Sequence, residues 1–200
     1  MAGTRDPEAT KARIFDAATD EFARYGIAGA RVDRIARNAK ANKQLIYAYF
    51  GDKEQLFRQV LDKTMLQVAA SVTTDIEDLD EWIDQHIDYH REHPELLRLL
   101  MWEALELGPE NASASEMRCG RYQEKRDKVE IAQGKGLMRG DMPSGQVLML
   151  LMGMINYPLA VPQVTQFTLG PDLDPEVQRA WTKDAIRRIV AAEPGSGTEA

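Results

Sequence analysis

Apolar residues recur along this chain every three or four positions, segment after segment, with polar residues on the intervening faces. Phe15, Ala18, Phe22 and Tyr25 mark the first such stripe, and Gly26 supplies its stop. Asp6-Pro7-Glu8 supplies its start: a capping carboxylate, a proline at the first helical position, and an acid in the first turn. A short second helix carries Val32, Ile35, Ala36 and Ala39 on one face. Asn42 can cap a third, Lys43 to Tyr49, which ends at Gly51-Asp52. Asp52-Lys53-Glu54-Gln55 reads as a capping box for a fourth helix, whose Leu56, Phe57, Val60, Leu61, Thr64 and Val68 face inward. Further helices are predicted near Asp80–Glu92, Pro94–Leu107, Ser113–Gln133, Pro143–Tyr157 and Pro175–Ala192. Ser113 to Glu116 forms another capping box, and Asp174-Pro175-Glu176 repeats the start at residue 6. Breaks are expected from Gly134 to Gly140 and from Pro158 to Pro171. No segment has a convincing strand period, and there is no internal repeat. The chain is predicted to be all-α.

Composition narrows the class. The 200 residues are 44% hydrophobic and 28% charged, ordinary values for a globular protein. The single cysteine, Cys119, cannot form an internal disulfide, so nothing points to an oxidising compartment. The start MAGTRDPEAT lacks a signal-peptide apolar stretch, and the run from Val147 to Ile155 is well short of the ~20 residues that span a bilayer. A cytoplasmic protein with no membrane partner is expected. The net charge of −7 is unevenly placed: residues 1–63 hold 12 Lys and Arg against 9 Asp and Glu, and the remainder stands at −10. A basic segment joined to an acidic one suggests that only the first meets a polyanion.

Two short helices separated by a tight turn form a helix-turn-helix, whose second helix enters the DNA major groove. Here that second helix offers Lys43, Gln44, Leu45, Tyr47 and Ala48 to the exposed side, while Ile46 and Phe50 point back to the core. Residues 12–57 resemble the DNA-binding domain of TetR-family transcriptional regulators. The resemblance rests on Ile14, Phe15, Ala18, Phe22 and Gly26, then Val32-Asp-Arg-Ile35-Ala36. It ends in Leu45-Ile46-Tyr47-Ala-Tyr49-Phe50-Gly-Asp-Lys53-Glu-Gln-Leu56. The resemblance implies that Tyr47 and Lys53 meet phosphates, that Lys43, Gln44 and Leu45 approach base edges, and that Tyr49 lies near a phosphate. Two positions depart from the family's pattern. Lys40 stands where a turn glycine is usual, and Arg31 replaces the threonine that starts the second helix, taking over its phosphate contact. The implied organisation is a DNA-binding domain at 1–52, an effector-binding and dimerisation domain at 53–193, and a frayed tail at 194–200.

One short recognition helix buries too little surface for specific binding, since specific interfaces cover ~1,000–2,500 Å² of protein. A homodimer on a palindromic, double-stranded operator follows. Val147 to Met152 is apolar on all sides, as a helix buried on two faces would be. Val147 and Leu151, with Trp181 and Ile189 of the last helix, are the expected dimer residues. Methionines and aromatics cluster in the same half, which suits either ordinary core or a cavity for an apolar effector. The resemblance favours the cavity, with Met101, Trp102, Met152 and Tyr157 as candidate lining. His86, His90 and His93 read as a solvated polar face. The four-residue spacing of His86 and His90 could chelate a metal, yet no zincin-type Glu follows, so no metal and no cofactor are expected. Enzyme signatures such as a phosphate loop or Gly-x-Ser-x-Gly are missing. The expected function is a repressor released from its operator by a small molecule. The rivals are a helix-turn-helix protein answering to a protein partner or to nothing, and a helical enzyme or carrier.

Overall fold

A computed structural model describes residues 6–73, 75–113 and 115–192, so the expected tail at 194–200 lies outside the described residues. Eleven helices and no strand are found among them. They are α1 Pro7–Gly29, α2 Val32–Asn38, α3 Lys43–Phe50, α4 Lys53–Ser71, α5 Leu79–Glu92, α6 Glu95–Glu106, α7 Gly108–Asn111, α8 Glu116–Gly134, α9 Ser144–Ala160, α10 Pro162–Leu169 and α11 Pro175–Val190. The all-α expectation holds. The helices group into two compact units, one ending at Gln67 and resuming over Glu95–Ser115, the other made of Val68–Pro94 and the chain from Glu116. The first unit therefore extends past the boundary expected after residue 52.

In the first unit, the cap chemistry works as the sequence predicts. The Asp6 carboxylate accepts from the Glu8 amide at 3.0 Å, and the Asp52 carboxylate from the Gln55 amide at 2.8 Å. Ile14, Ala18 and Phe22 of α1 are fully buried with Leu56, Phe57, Val60 and Leu61 of α4. Tyr25 is exposed instead, because its ring forms a shelf under the Arg34 guanidinium, 4.0 Å away. Gly26 does not end α1; it kinks it, with φ +69°. A side chain there would also collide with the Trp102 ring, whose Cε3 would lie 2.7 Å from the added carbon.

That collision shows why the first unit includes α6. The Arg98 Nε–H and the Trp102 indole N–H both donate to the Ala23 carbonyl, at 2.8 and 3.3 Å, and the Ala28 amide donates to the Glu106 carboxylate at 2.7 Å. Three side chains of α6 thus satisfy polar groups around the α1 kink.

Lys40, in the turn between α2 and α3, has φ +50°, the one positive φ at a non-glycine among the described residues. A Cβ in this region costs roughly 1 kcal/mol, partly offset for glycine by its larger unfolded-state entropy. Lys40→Gly is expected to raise the melting temperature by a few degrees, and Lys40→Val to lower it. A lower midpoint for the glycine variant in thermal unfolding would contradict this account of the turn.

The second unit has its own core of Ile76, Trp82, Ile83, Ile87, Val129, Ala132, Met138, Val147, Leu148, Leu151, Ile155, Ile186 and Val190. Two sequence expectations change here. Val147 and Leu151, expected at a dimer interface, are buried inside this core, at 0% and 1% exposure. The helix presents Met149 and Tyr157 outward in their place, at 68% and 58%. Pro158 does not break the chain, since α9 continues through it to Ala160 and α10 follows within the stretch expected to be irregular.

Three carboxylates of α5 are paired rather than free. Asp80, Asp84 and Asp88 recur every four residues against Arg187, Lys183 and Arg179 of α11, which recur every four in the opposite direction along the chain. Hydrogen bonds from Arg187 and Arg179 hold Asp80 and Asp88 below the usual carboxylate range. Arg91 adds a pair to Glu176 at 3.1 Å.

His86 and His90 reverse the polar-face reading of α5. Both are 4% exposed. The His86 Nδ1–H donates to the Trp82 carbonyl at 2.7 Å, while the buried His90 Nδ1 has no hydrogen-bond partner. Burial, with the Lys125 ammonium as a further cause, pushes His86 down to about 3 and His90 down to about 4. Among the described residues, no group of three or more metal-ligating side chains occurs.

Candidate nucleic-acid interface

The recognition geometry is built from α2, the turn and α3. Asn42 caps α3 by accepting from the Gln44 amide at 2.8 Å. The helix ends where Gly51, at φ +80°, returns its amide to the Tyr47 carbonyl at 2.9 Å. Ile46 and Phe50 anchor the inner side, and Phe50 meets Phe15 of α1 edge to face at 5.0 Å between centroids. Arg13 of α1 donates to the Ala39 carbonyl at 3.2 Å, tying the turn to the body of the unit.

On this support, Lys43, Gln44 and Tyr47 stand exposed, and Leu45 and Tyr49 are half-buried. The five residues lie on one short helix, as the sequence predicts from a three-to-four-residue period. Lys43 does not stand free. Its ammonium lies 2.9 and 3.1 Å from the two carboxylate oxygens of Asp33 on α2, and that hydrogen bond raises the lysine above its ordinary range. The Tyr49 ring lies under the Lys11 ammonium at 5.3 Å. Lys53, at the start of α4, places its ammonium 3.3 Å from both the Ala28 and Ala30 carbonyls, where cations are favoured beside the C-terminal end of a helix. Arg31 is exposed just before α2 and carries no side-chain cap bond there.

Glu21 is the member of this framework that the sequence reading missed. It is 3% exposed, yet its carboxylate receives the Arg34 Nε–H and Nη2–H at 2.6 Å each and the Arg31 amide at 2.8 Å. Burial alone would raise its pKa; the hydrogen bonds from Arg34 and Arg31 outweigh this and hold it below the usual range. One carboxylate of α1 thus fixes both the start of α2 and a side chain one turn into it. A signal existed: an acid flanked by the buried Phe22 and one turn from Ala17, with an unassigned Arg on the neighbouring helix.

Comparison with known proteins decides the family. A family model for the N-terminal part of bacterial regulatory proteins of the tetR family matches residues 14–60, and one for the tetracyclin repressor-like C-terminal domain matches residues 78–188. The chain belongs to the TetR family. It is 50% identical to the HTH-type transcriptional repressor SCO4008 of Streptomyces coelicolor over 187 residues, spanning 93% of this chain and 97% of that protein. It is 32% identical to the HTH-type transcriptional repressor NicS of Pseudomonas putida, over 70% and 72% of the two chains. The crystal structure of SCO4942 from Streptomyces coelicolor superposes with a TM-score of 0.78 at 32% identity, covering 90% and 98%. For this TetR-family chain, residues 14–60 enclose α2, α3 and the Lys53 end of α4, the segment whose geometry is described above.

The four candidate effector residues are divided between the two units. Met101 and Trp102 belong to the first unit, where Trp102 is committed to the α1 kink, and Met152 and Tyr157 belong to the second. Met152 packs against the second core, whereas Tyr157 is exposed. Of the candidate dimer residues, Trp181 is 57% exposed and Ile189 packs on the core.

Proposed function

We propose that this TetR-family protein is a repressor that binds a palindromic double-stranded operator as a homodimer and leaves it when a small molecule binds the C-terminal part. The observation that carries this reading is α3: a capped helix, anchored on its inner side, holding Lys43, Gln44 and Tyr47 outward. Gln44 has the donor and acceptor to pair with adenine, and the half-buried Leu45 can touch a thymine methyl. Tyr47, Tyr49, Lys53 and Arg31 are assigned to the backbone, where contacts fix register and carry no sequence information. Relatives described as transcriptional repressors support the sign of regulation.

The dimer is assigned to the outward residues of α9 and α11: Met149, Tyr157, Val177 and Trp181, all large, apolar and exposed. Two paired chains supply the recognition surface that one lacks. The small-molecule effector acts by preferring the arrangement that does not fit the operator; a tenfold release needs only about 1.4 kcal/mol of such preference. α4, whose residues belong to both units, is the element assigned to carry that preference between them. Among the described residues no single helix is long and apolar enough to cross a membrane, and the pair α9 and α10 that reaches the length together is bent by 88°.

Trp181→Asp tests the dimer. Sedimentation equilibrium is expected to show a monomer where the parent chain is a dimer, with operator affinity lowered about a hundredfold or more as the second half-site loses its linked partner. A dimeric variant with parental affinity would refute the assignment of α11.

A further inference from the structure

The ion pair between Asp33 and Lys43 places an acid in the middle of a surface that must meet phosphates. Asp33 is 74% exposed and Lys43 45%, so neither is held there by burial. On the DNA-binding reading, an acid so placed repels a phosphate backbone at any sequence. The geometry gives it a use. A lysine ammonium has three N–H donors and no acceptor, and as a mobile point charge it meets any phosphate within reach. With its nitrogen 2.9 and 3.1 Å from the two Asp33 oxygens, the ammonium is neutralised and its freedom is restricted. What remains is a directed donor at the first turn of α3, one position before Gln44.

Resting on the DNA-binding reading above, we propose that Asp33 is a specificity-determining residue, which withholds Lys43 from sequence-independent phosphate contacts and aims it at an acceptor-bearing base edge. The matching chemistry in the major groove is the N7 and O6 of guanine, next to the base read by Gln44. On random DNA the same pair leaves Lys43 with its charge already spent, so the affinity for non-operator sequences is low. Asp33 touches no base itself; it acts through Lys43 and is a positioning residue.

The test uses full-length protein, the operator obtained by selection from a random duplex pool, and a scrambled duplex of equal length. Both are titrated over a range of salt with the parent, Asp33→Asn, Lys43→Gln and the double variant. Asp33→Asn is expected to raise affinity for the scrambled duplex roughly tenfold at low salt and to steepen its log affinity against log salt by up to about 0.9, one added phosphate contact. Operator affinity is expected to change less, so the ratio of the two falls. In the Lys43→Gln background the same substitution is expected to leave that ratio unchanged. If Asp33→Asn strengthens both duplexes equally, with or without Lys43, Asp33 is only a repelling charge and the proposal is overturned. A parent protein that selects no sequence would overturn the DNA-binding reading itself, a result separable from the first.

Discussion

Glu21→Ala is expected to destabilise the first unit by about 3 kcal/mol and to abolish operator binding at concentrations where the parent is saturated. The magnitude is the low end for removing one partner of a buried ion pair, chosen because Arg34 keeps 29% of its side-chain surface exposed and can find water. Two losses add. The Arg34 guanidinium, stacked on Tyr25, is left without its carboxylate, and the Arg31 amide at the start of α2 loses its acceptor. Both act on α2, the helix against which α3 is oriented, so the loss reaches function before the unit unfolds. Glu21→Gln, which keeps one acceptor oxygen, is expected to fall between the two. Denaturant unfolding read with DNA titration checks the prediction. An alanine variant with parental stability would show that the pair is no more than a surface contact.

The second large effect is acid lability of the second unit. Its sign follows from His86 and His90, whose folded values lie below the ordinary 6.5, at about 3 and about 4. The unfolded chain therefore binds more protons than the folded one as pH falls below 6.5. Stability is fully present above that value and is lost as pH falls toward 4. Between pH 6 and pH 5 both imidazoles are still neutral when folded and mostly charged when unfolded. The slope approaches two protons, about 2.7 kcal/mol per pH unit. The lowered carboxylates contribute at more acidic pH, below the unfolded range of Asp and Glu. His90→Leu should halve the slope in this window. At pH 7 it should cost little, since the His90 Nδ1 it removes has no partner. Unfolding of the parent and the variant at pH 7, 6 and 5 gives both slopes; equal slopes would show that His90 does not titrate as its burial requires.

The parts of this fold legible in the sequence are those whose physics is local. Asp6, Asn42, Asp52 and Asp174 read as caps, because a carboxylate or amide two or three residues before an apolar period has one common use, and each makes that bond. The inward stripe of α4 was legible for the same reason. Glu21 with Arg34 was not, because an acid and a base 13 residues apart on different helices share no pattern until the helices pack. Periodicity also fails where a helix buries polar residues beside apolar ones. α5 turns its histidines into the core, its aspartates toward α11 and its isoleucines into the core as well, so polarity alone misassigned His86 and His90. In α9 the reverse holds. A helix that is apolar all round does not announce which face meets its own core, and Val147 and Leu151 prove to be on that side. The return of α6 to α1 depends on Gly26, which reads as a stop in sequence but serves as a kink with a tryptophan behind it.

Whether α3 reads DNA in a paired chain is tested directly by one measurement. Purified full-length protein is used at defined salt to select bound duplexes from a random pool, and the enriched sequences are read. The expected result is a palindrome of two equal half-sites, with centres about one helical turn or a multiple of it apart. Enrichment of a single half-site would contradict the dimer, and no enrichment above background would contradict the assignment of α3 as the recognition helix.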